Sequence, residues 1–283
     1  MNTLEIVSGV EIGLIYGIAA IGICLTFRLI DFPDMTCDGS FVLGAAISGI
    51  LIKSGCNPWL ALCAATLGGA LAGLATGIIH SFFKISNLLS GILTAFMLYS
   101  INLRVMGGVP NIPLIGAATI FSGASAIAVL TCTCLTVVAI FTYLLATDFG
   151  LALRSVGQSK GVSTNYGVNI RLANAVALML SNALIGLSGA IFNQHQCFAD
   201  ISQGVGTLVI GLAAVMIGEK LFPCWSYLLI VPACVVGSIV YRIFIGFALH
   251  SEILGLKTQD LNLITGLLII IAMAAPKFRR RSC

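Results

Sequence analysis

The stretch Phe27–Phe41 reads FRLIDFPDMTCDGSF and sits between two apolar runs, one beginning at Ile6 and one continuing as VLGAAISGILI. Only 8% of the 283 residues are charged, yet Arg28, Asp31, Asp34 and Asp38 fall together here. A surface loop would account for that. So would a break in a membrane helix that lines a path, because unpaired backbone at membrane depth is tolerated only inside protein or along a wet cavity. Pro33 removes a donor and ends the preceding helical geometry. Asp38, ahead of Gly39–Ser40, is placed to N-cap the following segment. The partly positive start of that helix could then face a negative group of a solute. In the plain-loop reading Asp38 is only a cap, and Arg28 pairs with Asp31 near the lipid headgroups.

The rest of the chain decides that a membrane is involved. Hydrophobic residues make up 59% and mean hydropathy is +1.08, far from the balance of a soluble domain. Uncharged runs extend over Ser54–Phe83, Ile85–Leu103, Val105–Thr147, Leu172–Ala199, Leu221–Tyr241 and Leu261–Pro276. Each approaches or exceeds the roughly 20 residues that a helix needs to span a bilayer. The N-terminus carries Glu5 and Glu11 instead of a basic leader, so it reads as a retained membrane segment. Of the ten cysteines, Cys24, Cys63, Cys132, Cys134 and Cys234 lie in apolar runs and read as small hydrophobes. CTC lacks metal-site spacing, so neither a metal nor another cofactor is expected. The net charge of +4 sits at segment ends and gives no nucleic-acid signal.

The expectation is an all-α integral membrane protein, a single transmembrane domain over 1–283, with about nine hydrophobic segments (8–10). They run approximately over 6–27, 39–53, 58–80, 86–103, 124–146, 172–193, 206–219, 225–247 and 260–276. Lys/Arg placement puts the tail Lys277–Arg281 and the connection 147–171 in the cytoplasm and the N-terminus outside. Arg28, Lys84, Arg154, Lys160, Arg171 and Lys220 then lie inside; Lys53, Arg104, Arg242 and Lys257 lie outside. Trp59 and Trp225 suit interfacial anchoring, and His80 and His250 read as interfacial.

Two of the segments are short and alike. GSFVLGAAISGILIK from Gly39 and GTLVIGLAAVMIGEK from Gly206 align without gaps, and each follows a polar break containing aspartate. Separated by an odd number of segments, they would form an inverted repeat of two short, interrupted helices, the arrangement that marks a transport path. The alternative is chance similarity between two Gly/Ala-rich stretches. His195 reads as a hydrogen-bonded loop residue, since no acid or second histidine stands at helical spacing for a proton relay.

The cytoplasmic connection contains DFGLALRSVGQSKGVSTNYGVN. Asp148 can cap a short helix near Leu151–Gln158, with Gly157 or Gly161 ending it. Such a helix is either a peg for a cytoplasmic partner or a plain connector whose basic residues enforce topology.

The run GLIYGIAAIGICLTFRLIDFPDMTCDGSFVLGAA resembles the start of ABC importer permeases of the branched-chain amino acid and ribose permease superfamily. Its F-P-D-[LM]-T-x-D-G-[ST]-F stretch is most similar to the tryptophan/tyrosine-type branch. The connection resembles that family's coupling segment G-x-A-L-R-A-x-G-x-N, with Ser155 and Ser159 replacing its alanine and asparagine. The resemblance implies a multi-pass permease of the bacterial inner membrane with a cytoplasmic C-terminus. Its partners would be two cytoplasmic ABC ATPase subunits, a second permease copy as a homodimer, and an external solute-binding protein. Gly150, Ala152, Leu153, Arg154 and Gly157, with Lys160 beside them, would couple to the ATPase. Asp34, Thr36, Asp38 and Gly39 would line the translocation pathway, joined by Asn193, Gln194 and Asp200 at the opposite break.

The chain itself lacks G-x-x-x-x-G-K-[ST] and catalytic motifs, so ATP hydrolysis would belong to a partner. The function expected is solute import by alternating access, most simply of an amino acid. The competing reading is an ion-coupled secondary transporter. The solute itself is left open.

Overall fold

The computed structural model describes residues 3–123, 125–222 and 229–250, with Gly266. Long apolar runs become helices because a helix satisfies its backbone internally. The order is α1 (Thr3–Cys24), a wide π-turn (Leu25–Leu29), α2 (Cys37–Lys53), α3 (Pro58–Phe83), α4 (Asn87–Val105), strand β1 (Asn111–Pro113) and α5 (Ala126–Ala146). There follow α6 (Asp148–Gln158), α7 (Lys160–Asn165), α8 (Ile170–Gln196), strand β2 (Phe198–Asp200), α9 (Thr207–Leu221) and α10 (Ile230–His250). The first eight expected segments coincide with α1–α5 and α8–α10. The segment 260–276, the basic tail, Trp225 and Lys257 lie outside the described residues.

Among the described residues, six helices are long and apolar enough to cross a membrane; α2 and α9 are not among them. With 17 and 15 residues these two extend only about 25 and 22 Å, short of a roughly 30 Å hydrocarbon core. Local chemistry sets several ends. The Asn57 side chain accepts the Trp59 N–H at 2.9 Å and Pro58 fits the first helical turn, which together start α3. Asn169 accepts the Leu172 N–H at 3.3 Å to start α8.

The packing pattern is one of two interlocked halves. α1 and α8 lie antiparallel at the centre: Ser181 Oγ donates to the Gly22 carbonyl at 2.7 Å, and Ser188 Oγ donates to the Ile15 carbonyl at 2.7 Å. Each short helix then packs on the long helix of the other half. A Cβ at Gly44 of α2 would overlap the Gly186 carbonyl of α8, and one at Gly211 of α9 would overlap Ile23 of α1. The third helices do the same. Gly69 and Gly73 of α3 lie against the Asn182 and Leu178 carbonyls of α8, while Gly13 and Gly17 of α1 receive Ile239 and Val235 of α10. Units α1–α2–α3 and α8–α9–α10 therefore interlock, each laying its second and third helices on the other's first helix in the manner expected of an inverted repeat. Small residues permit the close approach, since lipid supplies little drive for helix association.

α4 and α5 lie outside this core; only 28% and 22% of their apolar windows are buried, against 78% for Glu5–Leu29. At one end, β1 pairs antiparallel with β2, Ile112 opposite Ala199. At the other end the basic residues gather. Arg28 forms an ion pair with Glu219 at 2.6 Å, and Lys84 and Arg171 line one cavity. α6 packs there too, with Gly157 against the Leu29 carbonyl. Arg28 thus does not pair with Asp31, which adopts a left-handed turn (φ 51°).

Candidate functional site

The polar break after α1 folds inward. Asp34 is fully buried; it accepts the Thr36 N–H at 2.9 Å on one oxygen and Asn182 Nδ2 of α8 at 2.7 Å on the other. The Thr36 hydroxyl meets the Thr76 hydroxyl of α3 at 2.8 Å. The break, α3 and α8 are tied at one level by this cluster, in which the Asn182 side-chain oxygen is buried without a partner. Asn182 sits near the middle of α8, so this cluster lies deep in the bundle.

Asp38 performs a different task from the one expected. The residue preceding α2 is Thr36, with no side-chain cap, and Asp38 lies inside the first turn. Its carboxylate instead accepts the Leu208 N–H at 2.9 Å and the Gly206 N–H at 3.3 Å, capping α9. Gly206 takes φ 88°, a left-handed turn that glycine adopts without strain. Asp38 is thus the cap of the opposite repeat. Two short helices meet start to start, and both positive ends converge on one acidic group.

The remaining pathway candidates separate into two groups. Gly39 packs on Leu98, and its carbonyl accepts Asn102 Nδ2 at 3.0 Å, so it faces α4. Asn193 donates to the Ala45 carbonyl at 3.0 Å. Gln194 accepts the Ile120 N–H at 3.1 Å and donates to Ser48 Oγ and the Pro58 carbonyl. Both are buried joints between α8 and its neighbours. Asp200 lies apart on the β1–β2 end, bonded by the Ser202 N–H at 2.7 Å, the Ser202 hydroxyl and Asn111 Nδ2 at 3.2 Å. Partial burial would raise its carboxyl, but those hydrogen bonds outweigh it and hold Asp200 below its ordinary value.

Two groups beside the junction had no signal in sequence. The Tyr16 ring stacks on Phe41 with centroids 5.7 Å apart, and the Arg242 guanidinium of α10 lies 4.5 Å from its centre. Arg242 Nε is buried without a hydrogen-bond partner, and among the described residues no carboxylate pairs with Arg242. His195 is also placed differently from expectation. It ends α8, and its Nε2 lies 3.1 Å from Glu11 of α1, a carboxylate brought from another helix.

The connection between α5 and α8 is two helices. Thr147 precedes α6, so Asp148 is a first-turn residue, not its cap; Gly157 lies within α6, and Ser159 ends it. Ser159 then caps α7. The motif residues face inward. Gly150 packs on the Leu144 and Leu145 carbonyls, and Leu153 is fully buried. Arg154 donates to the Gly150 and Leu145 carbonyls at 3.2 and 3.1 Å. Gly157 presses on the π-turn. Ala152 is half-buried and Lys160 exposed. The outward surface is mixed: Phe149 is 36%, Leu151 62%, Val162 52% and Tyr166 84% exposed, alongside exposed Asp148, Gln158, Lys160 and Asn165.

Comparison with known proteins completes the site. Residues 6–273 match the family described as branched-chain amino acid transport system / permease component. The chain is 42% identical over 270 residues to a tyrosine transport system permease protein of Clostridioides difficile, covering 95% of this chain and 90% of that one. It is 31% identical to an uncharacterized protein of Rickettsia prowazekii, covering 98% and 99%. An autoinducer 2 import system permease protein of Escherichia coli is 27% identical over 225 residues, 77% of this chain and 64% of that one. No solved structure matches.

Proposed function

We propose, because this chain belongs to the branched-chain amino acid transport system permease family, that it is the membrane subunit of an ATP-driven importer for an amino acid. Tyrosine is the first solute to test, since a relative sharing 42% identity carries that name. The subunit works in the bacterial inner membrane as a homodimer, with two ATPase subunits on the cytoplasmic face and a solute-binding protein outside. The C-terminal tail is cytoplasmic.

One observation carries the reading: α6 is a short helix between two spans, exposing Phe149 and Leu151 on its outward side and closely packed on the break through Gly157. ATP-driven closure of the partner subunits shifts α6, and Gly157 passes the shift to Leu29 and the break that positions Asp34, Thr36 and Asp38. Gly150, Leu153, Arg154 and Gly157 hold the helix in place. Leu151 and Phe149 make the contact, with Ala152 and Lys160 at its edge. Along the path, the Asp38 junction faces the ammonium and carboxylate of the solute, beside Tyr16 and Arg242. Asn193, Gln194 and Asp200 frame the outer end.

Affinity capture of the tagged full chain from its native membrane tests this. An ABC ATPase recovered with wild type and lost with Leu151→Asp supports it. Tyrosine uptake by the chain alone in vesicles, driven by an ion gradient, would replace it with secondary transport.

A further inference from the structure

At the end of the bundle that carries α6, a cavity of about 280 Å³ opens between the last turn of α3 and the first turns of α8. It is lined by His80, Ser81, Lys84, Ile170, Arg171 and Asn174. Lys84 and Arg171 are exposed cations, and among the described residues no carboxylate pairs with either. Asn174 is only 4% exposed, yet its side-chain oxygen has no hydrogen-bond partner, and neither does the buried Ser81 hydroxyl. Buried polar groups are ordinarily satisfied, so these two point to a ligand that both accepts and donates. The start of α8 adds the positive end of a helix, which favours an anion. The surroundings are apolar and outward-facing: Phe82 is 81%, Phe83 65% and Leu172 62% exposed.

We propose that this cavity binds the phosphodiester headgroup of an anionic glycerophospholipid. Lys84, Arg171 and the start of α8 hold the phosphate oxygens. Headgroup hydroxyls donate to Asn174 and accept from Ser81, while the acyl chains run along Phe82, Phe83 and Leu172. Basic pockets between membrane helices are suited to such headgroups. Phosphate oxyanion chemistry is shared by a free phosphate ion, and the apolar surroundings select the lipid. The site is independent of the transported solute and of the ATPase.

The test uses the full chain purified in detergent, offered phosphatidylglycerol or phosphatidylcholine, with retained lipid counted by native mass spectrometry. Wild type retains phosphatidylglycerol in preference. Lys84→Gln with Arg171→Gln lowers that retention roughly tenfold or more, the size expected for two cations beside an anionic surface. Arg104→Gln, at the far end of α4, leaves it unchanged. Asn174→Ala selectively weakens phosphatidylglycerol, with phosphatidylcholine unaffected. Equal retention of both lipids by wild type overturns the proposal, as does a preference that survives the double substitution. Protection against heat by inorganic phosphate, with no phosphatidylglycerol retained, overturns the lipid and leaves a free anion as the ligand.

Discussion

The carboxylate of Asp38 accepts the backbone N–H of Leu208 at 2.9 Å, so a residue in the first turn of α2 caps the start of α9. Asp38→Ala therefore strips a cap from a helix it does not belong to. A lost cap costs about 1 kcal/mol. The purified chain should melt at lower temperature, with Asp38→Asn closer to wild type because its amide oxygen still accepts. Equal melting of Asp38→Ala and wild type would sink the assignment.

Asp34 and Asn182 form one buried unit at 2.7 Å. Removing either leaves a buried polar group of the other short of one bond, at about 1–3 kcal/mol. The two single substitutions to alanine should each lower the melting temperature, and the double one should lower it by less than their sum. Strict additivity would show that the contact stabilises nothing.

α6 separates position from contact. Gly157→Ala places a methyl group on the Leu29 carbonyl and should destabilise the bundle. Leu151→Asp, at a 62% exposed site, should leave melting unchanged while abolishing capture of the ATPase. A Leu151→Asp chain that still captures the ATPase at wild-type level would move the docking surface elsewhere.

Asp200 gives a pH signature. Its carboxyl is held below its ordinary value by Ser202 and Asn111, so its contribution is present above that ordinary value and lost as pH falls through the folded one. Protection of the Ser202 amide against hydrogen exchange, after correction for intrinsic rates, should hold through the ordinary carboxylate range near about pH 4 and decline only as pH falls further. In Asp200→Asn the decline should vanish; its persistence would assign it to another group.

Hydropathy alone located the long helices, and Pro33 with its flanking acids marked the break, because both signals are local. The two short repeats were also legible, since their glycines recur in register. What stayed hidden is which helix each residue meets. Asp38 reads as a cap for the helix beside it, yet its partner amides lie in the other repeat. Glu11, inside α1, and His195, in the last turn of α8, meet only after the two helices pack. The π-turn over LTFRL contains neither proline nor glycine, so nothing local announces it. Arg154 reads as a coupling residue from its motif, and nothing local announces the bonds it donates to the Gly150 and Leu145 carbonyls.

The interlocking of the two repeats also constrains how the protein is made. α2 is too short to hold itself across the bilayer, and the surface it buries through Gly44 belongs to α8. From the emergence of Lys53 until Ile170 leaves the ribosome, that surface has no mate. The insertion machinery must shelter a half-built span throughout that interval, and translation that stalls before α8 should yield a chain marked for proteolysis.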